Sequence, residues 1–475
     1  MKNAWSMRKK RENEGKQAKM IKRDELDRRI ESYRDDMVAA LQDLVRIPSV
    51  RGEKRPQAPF GEGPATCLRK ALEMAEELGL TTLNLDHYAG HAELGEGDQT
   101  IGILVHLDVV PVGENWTMPP FDAVVKEGCV WGRGACDNKA ACVETLYAIK
   151  ALQAVGMKWK KKVRIIFGCD EESAWEDMKY YKERVKMPDF GYVPDGNFPL
   201  TNAEKGILHI EIRIPARLDD LRIRSLQGGE RPNVVLARLT MEVDGPFQPT
   251  SPHEHISVQW NSKGSTLISK GIAAHACTPW EGRSAGHPLF GFLRREGWKG
   301  NLIDFVCDRL ADLDGSGLGI QCEDEESGAL TMNLGTLHKE GEEFVAVVDI
   351  RYPVTADYDR LVRTLEQTAA QYGAAVRVID HKPPLYLPKD HPLVTTLLRV
   401  YEETTGIYAQ AESTGGGTYA RAMDNAVAYG PGFRDPQVDH HAHNADEFIG
   451  IDEMLRACRI YAHTILALQE VTINR

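Results

Sequence analysis

Ile101 to Val105 is an unbroken apolar run that leads straight into His106, Leu107 and Asp108. A second run of the same kind spans Val163 to Phe167, and a stretch of helical spacing, roughly Lys139 to Ala154, lies between them. Continuous β-branched runs suit strands covered on both faces. Strand, helix and strand in that order build a parallel α/β layer. The chain is therefore expected to form a mostly parallel sheet with helices on both faces. In a strand, residues i and i+2 share a face, so His106 and Asp108 point the same way. Burying that imidazole and carboxylate together is costly unless a further charge compensates them.

The length of 475 residues exceeds what one hydrophobic core usually supports, so two domains are expected. The texture changes after Lys205-Gly206. From Ile207 to about Tyr386 the pattern alternates (LHIEIRI, VVLARLTMEV, FVAVVDIRY), with helical stretches near Pro288 to Leu313 and Ala356 to Gln371. Alternation marks a half-exposed, mainly antiparallel sheet. Helical spacing also covers residues 25 to 47 (Leu26, Ile30, Met37, Leu41, Leu44) and Gly63 to Leu78. Long helices return from His391 onward, around a Gly-rich loop. These segments read as an outer α/β domain, 1–205 with 388–475, interrupted by an inserted α+β domain, 206–387.

A net charge of −12 argues against nucleic acid and anionic membranes as partners. The basic run Lys158 to Lys162 reads as a solvated strand entrance. Nine cysteines without a C-x-x-C pair suit reduced thiols in a cytoplasmic protein. Cys129, Cys136, Cys142 and Cys169 crowd one region yet lack zinc-ligand spacing. No apolar run approaches the roughly 20 residues that a membrane helix needs. The basic N-terminal stretch has no apolar core, so a secretory signal is not expected, and Met7 is an alternative start.

Further acidic and imidazole signals follow His106 and Asp108 along the chain. Asp137 sits in a glycine-containing loop that opens a helix, and Glu171-Glu172 end the strand-like VRIIFGCDEE. Asp195 follows GYVP, and His440, His441 and His443 cluster near the C-terminus. Each has a plainer reading. His106 with Asp108 could be a hydrogen-bonded core pair, Asp137 or Asp170 to Ser173 a helix cap, Asp195-Gly196-Asn197 a turn, and the late histidines a solvated loop. In open α/β sheets, however, active sites gather beyond the carboxyl ends of strands, where several of these residues fall. Taken in order they read as a two-metal hydrolase centre. Histidine with carboxylates suits zinc and allows manganese or cobalt, whereas calcium prefers oxygen alone.

The motifs PFGEGPA, HLDVVPVGENW, PPFDAVV, GRGACDNK, DEESAWEDMKYY, PDGNFPL, GIAAHACTP, VDIRYPVT, PPLYLPKDHPL, STGGGTYARAM and AHNADE make a specific set. From about residue 25 to the end, the chain resembles the PepV-type dinuclear metallodipeptidases. These lie within the superfamily of aminoacylases, glutamate carboxypeptidases and succinyl-diaminopimelate desuccinylases. The resemblance implies two divalent metal ions per chain, zinc first, with Asp137 as the bridging carboxylate. His106 and Asp195 would complete one site, Glu172 and His443 the other. Glu171 would be the general base for a metal-bridging water, and Asp108 would orient His106. The outer domain would be catalytic and the inserted one a lid. From the lid, His275 would stabilise the oxyanion, Arg351 would grip the substrate's terminal carboxylate, and Asn233 would supply another contact. Gly415, Gly416 and Gly417 would offer backbone N–H groups to that carboxylate.

Three departures stand out. Asn138-Lys139-Ala140-Ala141 replaces the family's usual DKGP, and the peptide after the bridging aspartate is often cis in relatives. Glu281 to His287 also lacks the usual Gly-x-Asn-Ala, and residues 1–24 have no counterpart. The expected function is a cytoplasmic, metal-dependent dipeptidase acting on short peptides with a free amine and a free carboxylate. The insert is longer than simple dimerisation requires, so a monomer is expected and a homodimer left open. The alternatives are an N-acyl amino acid deacylase or desuccinylase on the same scaffold, or a non-catalytic binding protein.

Overall fold

The computed structural model describes residues 23–251, 253–434 and 438–473. Most of the segment before residue 25 thus lies outside the described residues. The chain divides into two compact units. The first runs up to Asn202 and resumes with Leu387–Glu412 and from Thr418 onward; the second is Ala203–Tyr386 with Ser413–Gly417.

The first unit is built on a sheet whose four central strands, Lys162–Gly168, Thr100–His106, Phe190–Val193 and Ala426–Ala428, are mutually parallel. Its margins are antiparallel: Ala89–Leu94 and Thr81–Leu85 on one side, Thr201–Glu204 on the other. The mostly parallel sheet expected from the apolar runs is thus present. In Thr100–His106 every residue from Ile101 onward is buried. Successive strand residues point to opposite faces, so both faces are covered. The helix Ala140–Ala154 is buried along most of its length, as suits a helix without a polar face. It packs with Ile451–Leu468 and the parallel strands into one core that includes Val105, Leu146, Ile149, Phe167 and Ile460.

Two helices depart from their sequence expectation. The one expected over 25–47 is broken by a turn at Tyr33, with residues 23–32 helical before it and Arg34–Val45 after. The stretch Pro288 to Leu313 forms two helices, Gly286–Arg295 and Asn301–Arg309. Gly297 ends the first with a positive φ of 84°. Gly300 then leaves room for Asp220, whose carboxylate would lie 2.1 Å from any Cβ placed there. Apolar periodicity runs through this break because both helices bury their stripe in the same core.

The second unit holds an eight-stranded sheet in the order Ile256–Asn261, Gly264–Lys270, Arg238–Asp244, Ile223–Gly228, Thr331–Glu340, Glu343–Tyr352, Gly206–Pro215 and Ala375–Lys382. Every pairing in it is antiparallel. Leu208, Ile210, Ile212 and Ile214 face the unit's own core, and alternate residues between them are half-buried. The alternation seen in the sequence reports this one-sided burial. The helix Tyr358–Ala370 starts where Asp357 caps the N–H of Arg360 and packs Leu361 and Leu365 inward.

Candidate metal centre

His106 ends the central strand, where the chain leaves the sheet at its carboxyl edge. Its Nδ1 lies 3.0 Å from the main-chain oxygen of Asp108. A carbonyl can only accept, so Nδ1 carries the proton and Nε2 presents its lone pair to the cluster. The Asp108 carboxylate is further off, 3.7 Å from Nδ1. It accepts the main-chain N–H groups of Glu171 and Glu172, each at 3.1 Å. The orienting contact on His106 therefore comes from the Asp108 main chain, while its side chain holds the paired glutamates.

Asp137 lies at the centre of the group. One of its oxygens is 2.9 Å from His106 Nε2 and the other 2.9 Å from His443 Nε2. His443 Nε2 is also 3.0 Å from Glu172, and Asp195 approaches His106 Nε2 to 3.9 Å. Among the described residues, two overlapping sets have ligand atoms within 4.8 Å of one another: His106, Glu171 and Asp195, and His106, Asp137 and Glu172. Asp137 thus faces one histidine with each oxygen, Asp195 on one side and Glu172 on the other.

The electrostatics of this cluster favour cations. Burial pushes the Asp137 carboxyl up, but the two imidazoles outweigh it and hold it far below the usual carboxylate range. Asp137 and Glu172 in turn push His443 up to about 11. The field that draws positive charge to these imidazoles would equally hold a dication there. Burial, and then the Asp195 carboxylate, raise Glu171 well above an ordinary glutamate. So many half-buried carboxylates in mutual contact are tolerated only against positive charge, and the mixed nitrogen and oxygen donors suit zinc or manganese.

The supporting shell contains residues that the sequence did not single out. Glu447, fully buried, accepts the N–H groups of Gly134, Cys136 and Asp137 at 3.0, 3.0 and 3.1 Å and pairs with buried Arg133 at 2.6 Å. It fixes the loop that carries Asp137. The Asp137–Asn138 peptide is cis. The buried Asn138 amide accepts from the His106 N–H at 3.4 Å and donates to the oxygen of Pro194, next to Asp195. Lys139 caps the end of Arg34–Val45 by donating to Leu44 and Ile47 at 3.0 and 2.8 Å, and Ala140-Ala141 start a buried helix. Tyr419 occupies the space left by Gly168 and donates to Asp177, which also receives the N–H groups of Cys169 and Asp170. Only the short spacing of Glu447 from His443 could have hinted at the first of these partners.

His440 and His441 do not join the cluster. His440 Nε2 sits 2.8 Å from Glu453, and His441 Nδ1 lies 3.2 Å from the oxygen of Ala445.

A family model described as Peptidase family M20/M25/M40 matches residues 102–467. The chain belongs to this family. It is accordingly an enzyme, a metallopeptidase by fold and family. It is 38% identical over 456 residues to the Bacillus subtilis (strain 168) protein named "Putative dipeptidase YtjP", covering 92% of this chain and 97% of that one. A Staphylococcus aureus (strain MW2) protein with the same style of name is 31% identical over 463 residues, covering 93% and 98%. The fold is similar to that of human carnosine dipeptidase 1, with a TM-score of 0.60 at 14% identity over 94% of this chain and 99% of that one. It is also similar to the dipeptidase Dug1p of Saccharomyces cerevisiae, with a TM-score of 0.57 at 13% identity over 94% and 99%.

Within the second unit of this M20 peptidase, the remaining expected residues fall close together. Val234 bridges to His275, and the N–H of Ala276 donates to the oxygen of Asn233 at 2.9 Å. Cys277 Sγ lies 2.9 Å from His275 Nδ1, and a Cβ on Gly415 would stand 2.9 Å from that of Cys277. Arg351 is buried, forked on Asp349 at 2.6 and 2.7 Å, and donates to the oxygen of Gly415 at 3.0 Å. Asp349 also faces His209 at 2.9 Å. The fork leaves Arg351 rigid and, among the described residues, two of its five N–H groups uncommitted. Gly416 and Gly417 continue the same turn within this unit.

Proposed function

We propose that this chain is a two-zinc dipeptidase that hydrolyses short peptides with a free amine and a free carboxylate. The observation that carries the proposal is Asp137, whose two oxygens each face a different histidine at 2.9 Å. Such a carboxylate is suited to bridge two ions, one with His106 and Asp195, the other with His443 and Glu172. The bound ions would polarise the scissile carbonyl and acidify the attacking water. Glu171 takes that water's proton and delivers it to the leaving amine. Its raised proton affinity suits a group that must hold the proton between the two transfers. Asp108 keeps Glu171 and Glu172 in place through their N–H groups. His275 is the oxyanion donor. Arg351, held by Asp349, receives the C-terminal carboxylate with Asn233 and the Gly415 to Gly417 turn. The names of the curated relatives support the dipeptide preference. The nine free cysteines fit a cytoplasmic setting, and the chain is proposed to act as a monomer.

The test pairs metal analysis with a substrate panel. Two zinc or manganese ions per chain and cleavage of unblocked dipeptides are expected. Activity confined to N-acyl amino acids would replace this reading with a deacylase. Glu171→Gln is expected to keep both metals while turnover falls about 10²- to 10⁴-fold; undiminished turnover would remove Glu171 from its role.

A further inference from the structure

A cavity of about 220 Å³ in the first unit adjoins the metal cluster, and Asp137, Asn138 and Asp195 contribute to its wall. Part of its remaining wall is made of chain neighbours of the proposed ligands. Cys136 precedes Asp137, Gly196 and Asn197 follow Asp195, and Ala442 precedes His443. Gly196–Asn197 is held beside Pro431–Gly432 as a short parallel pair. Phe433, tilted against Phe198 with centroids 5.0 Å apart, and buried Ile449 complete the apolar lining.

We infer that this cavity receives the side chain of the substrate's N-terminal residue and selects an uncharged, apolar one of about leucine or methionine size. The inference rests on the peptidase reading above. With ions held by Asp137 and Asp195, the attacked carbonyl would lie beside those two residues, within reach of Glu171. The N-terminal residue's Cα is one bond from that carbonyl and its Cβ two. Its side chain therefore enters whatever space abuts those carboxylates, and this cavity does.

The lining argues for an apolar occupant. Its ionic groups other than the cluster, His440 and Glu453, are already paired at 2.8 Å. Glu453 also accepts the Gly450 N–H at 3.1 Å. A charged side chain would lose its hydration and find no free counter-ion, because Asp137 and Asp195 are committed to the proposed ions. The volume is below the range of about 300–1,000 Å³ typical of whole-ligand pockets and suits one side chain.

The test measures kcat/KM for dipeptides X-Ala, with X as Leu, Met, Gly, Lys or Glu, on the metal-loaded protein. Leu and Met are expected to exceed Gly by at least about tenfold, the scale of apolar side-chain discrimination, with Lys and Glu below Leu. Ala442→Phe should lower the Leu-to-Gly ratio about tenfold, and Phe433→Ala should move the preference toward bulkier X. Calorimetric titration with free leucine and glycine reads the pocket without turnover, and leucine should lose its advantage in Ala442→Phe. Cleavage with a flat preference, or ratios and binding unmoved in both variants, would overturn the inference alone. Failure to cleave any dipeptide would overturn the dipeptidase reading and this assignment with it.

Discussion

Asp108 serves two partners with different atoms, and neither role follows from its place beside His106 alone. Its main-chain oxygen fixes the His106 tautomer, and each carboxylate oxygen takes one glutamate N–H. An amide cannot accept at both positions, so Asp108→Asn leaves one buried N–H facing another donor. A buried donor without a partner costs about 1–3 kcal/mol. Zinc affinity should fall about 10- to 100-fold, as for other groups that support metal ligands. Denaturant unfolding and zinc titration check both; unchanged values would limit Asp108 to its main-chain contact. Most of the residues that the fold gathers at Asp137 could be read from the sequence because they end an apolar run or open a helix, whereas His443 lies in a loop and was marked only by the family motif AHNADE. Glu447 and Arg133 could not, because 314 positions separate them and nothing local marks either as buried. The same holds for Tyr419, whose partner Asp177 lies 242 positions away.

The helix Ala140–Ala154 carries its own buried acid. Glu144 is fully buried, and neither of its oxygens has a hydrogen-bond partner among the described residues. Burial raises its proton affinity well above an ordinary glutamate, and the Glu453 charge adds to this. The folded state thus binds this proton more tightly than the unfolded chain does. Its contribution is whole below the ordinary value of 4.5 and is lost as pH rises toward the elevated folded value. Wild-type stability should therefore fall, relative to Glu144→Gln, by up to about 1.4 kcal/mol per pH unit. Melting curves of both proteins from pH 5 to 9 would show a gap that widens with pH; a constant gap would mean that Glu144 is ionised in the fold. Element boundaries were the least legible feature in this chain. The break at Gly297 and Gly300 lies inside an apolar pattern, and its cause, Asp220, comes from a distant segment.

For the whole molecule, every proposed metal ligand belongs to the first unit. Metal binding should therefore stabilise that unit selectively. At a free metal concentration about 100 times Kd, the gain is about 2.7 kcal/mol. Scanning calorimetry should show one transition moving upward with zinc and downward with chelator, while the other stays near its place. A common shift of both would mean that the units unfold as one body. Fold class was visible in the sequence because the change from continuous to alternating apolar patterns tracks the change from two-sided to one-sided burial. The central strand Ala426–Ala428 escaped notice because three residues are too few to display a period.

That short strand also sets a timetable for biosynthesis. Ala426–Ala428 lies alongside Phe190–Val193 in the middle of the sheet, yet more than two hundred codons separate their translation. The segment Ala203–Tyr386 holds all eight strands of its own sheet and leaves the ribosome before Ala426–Ala428 does. The inner body can be finished while the outer one waits, its half-built sheet exposed, for the last stretch of the message.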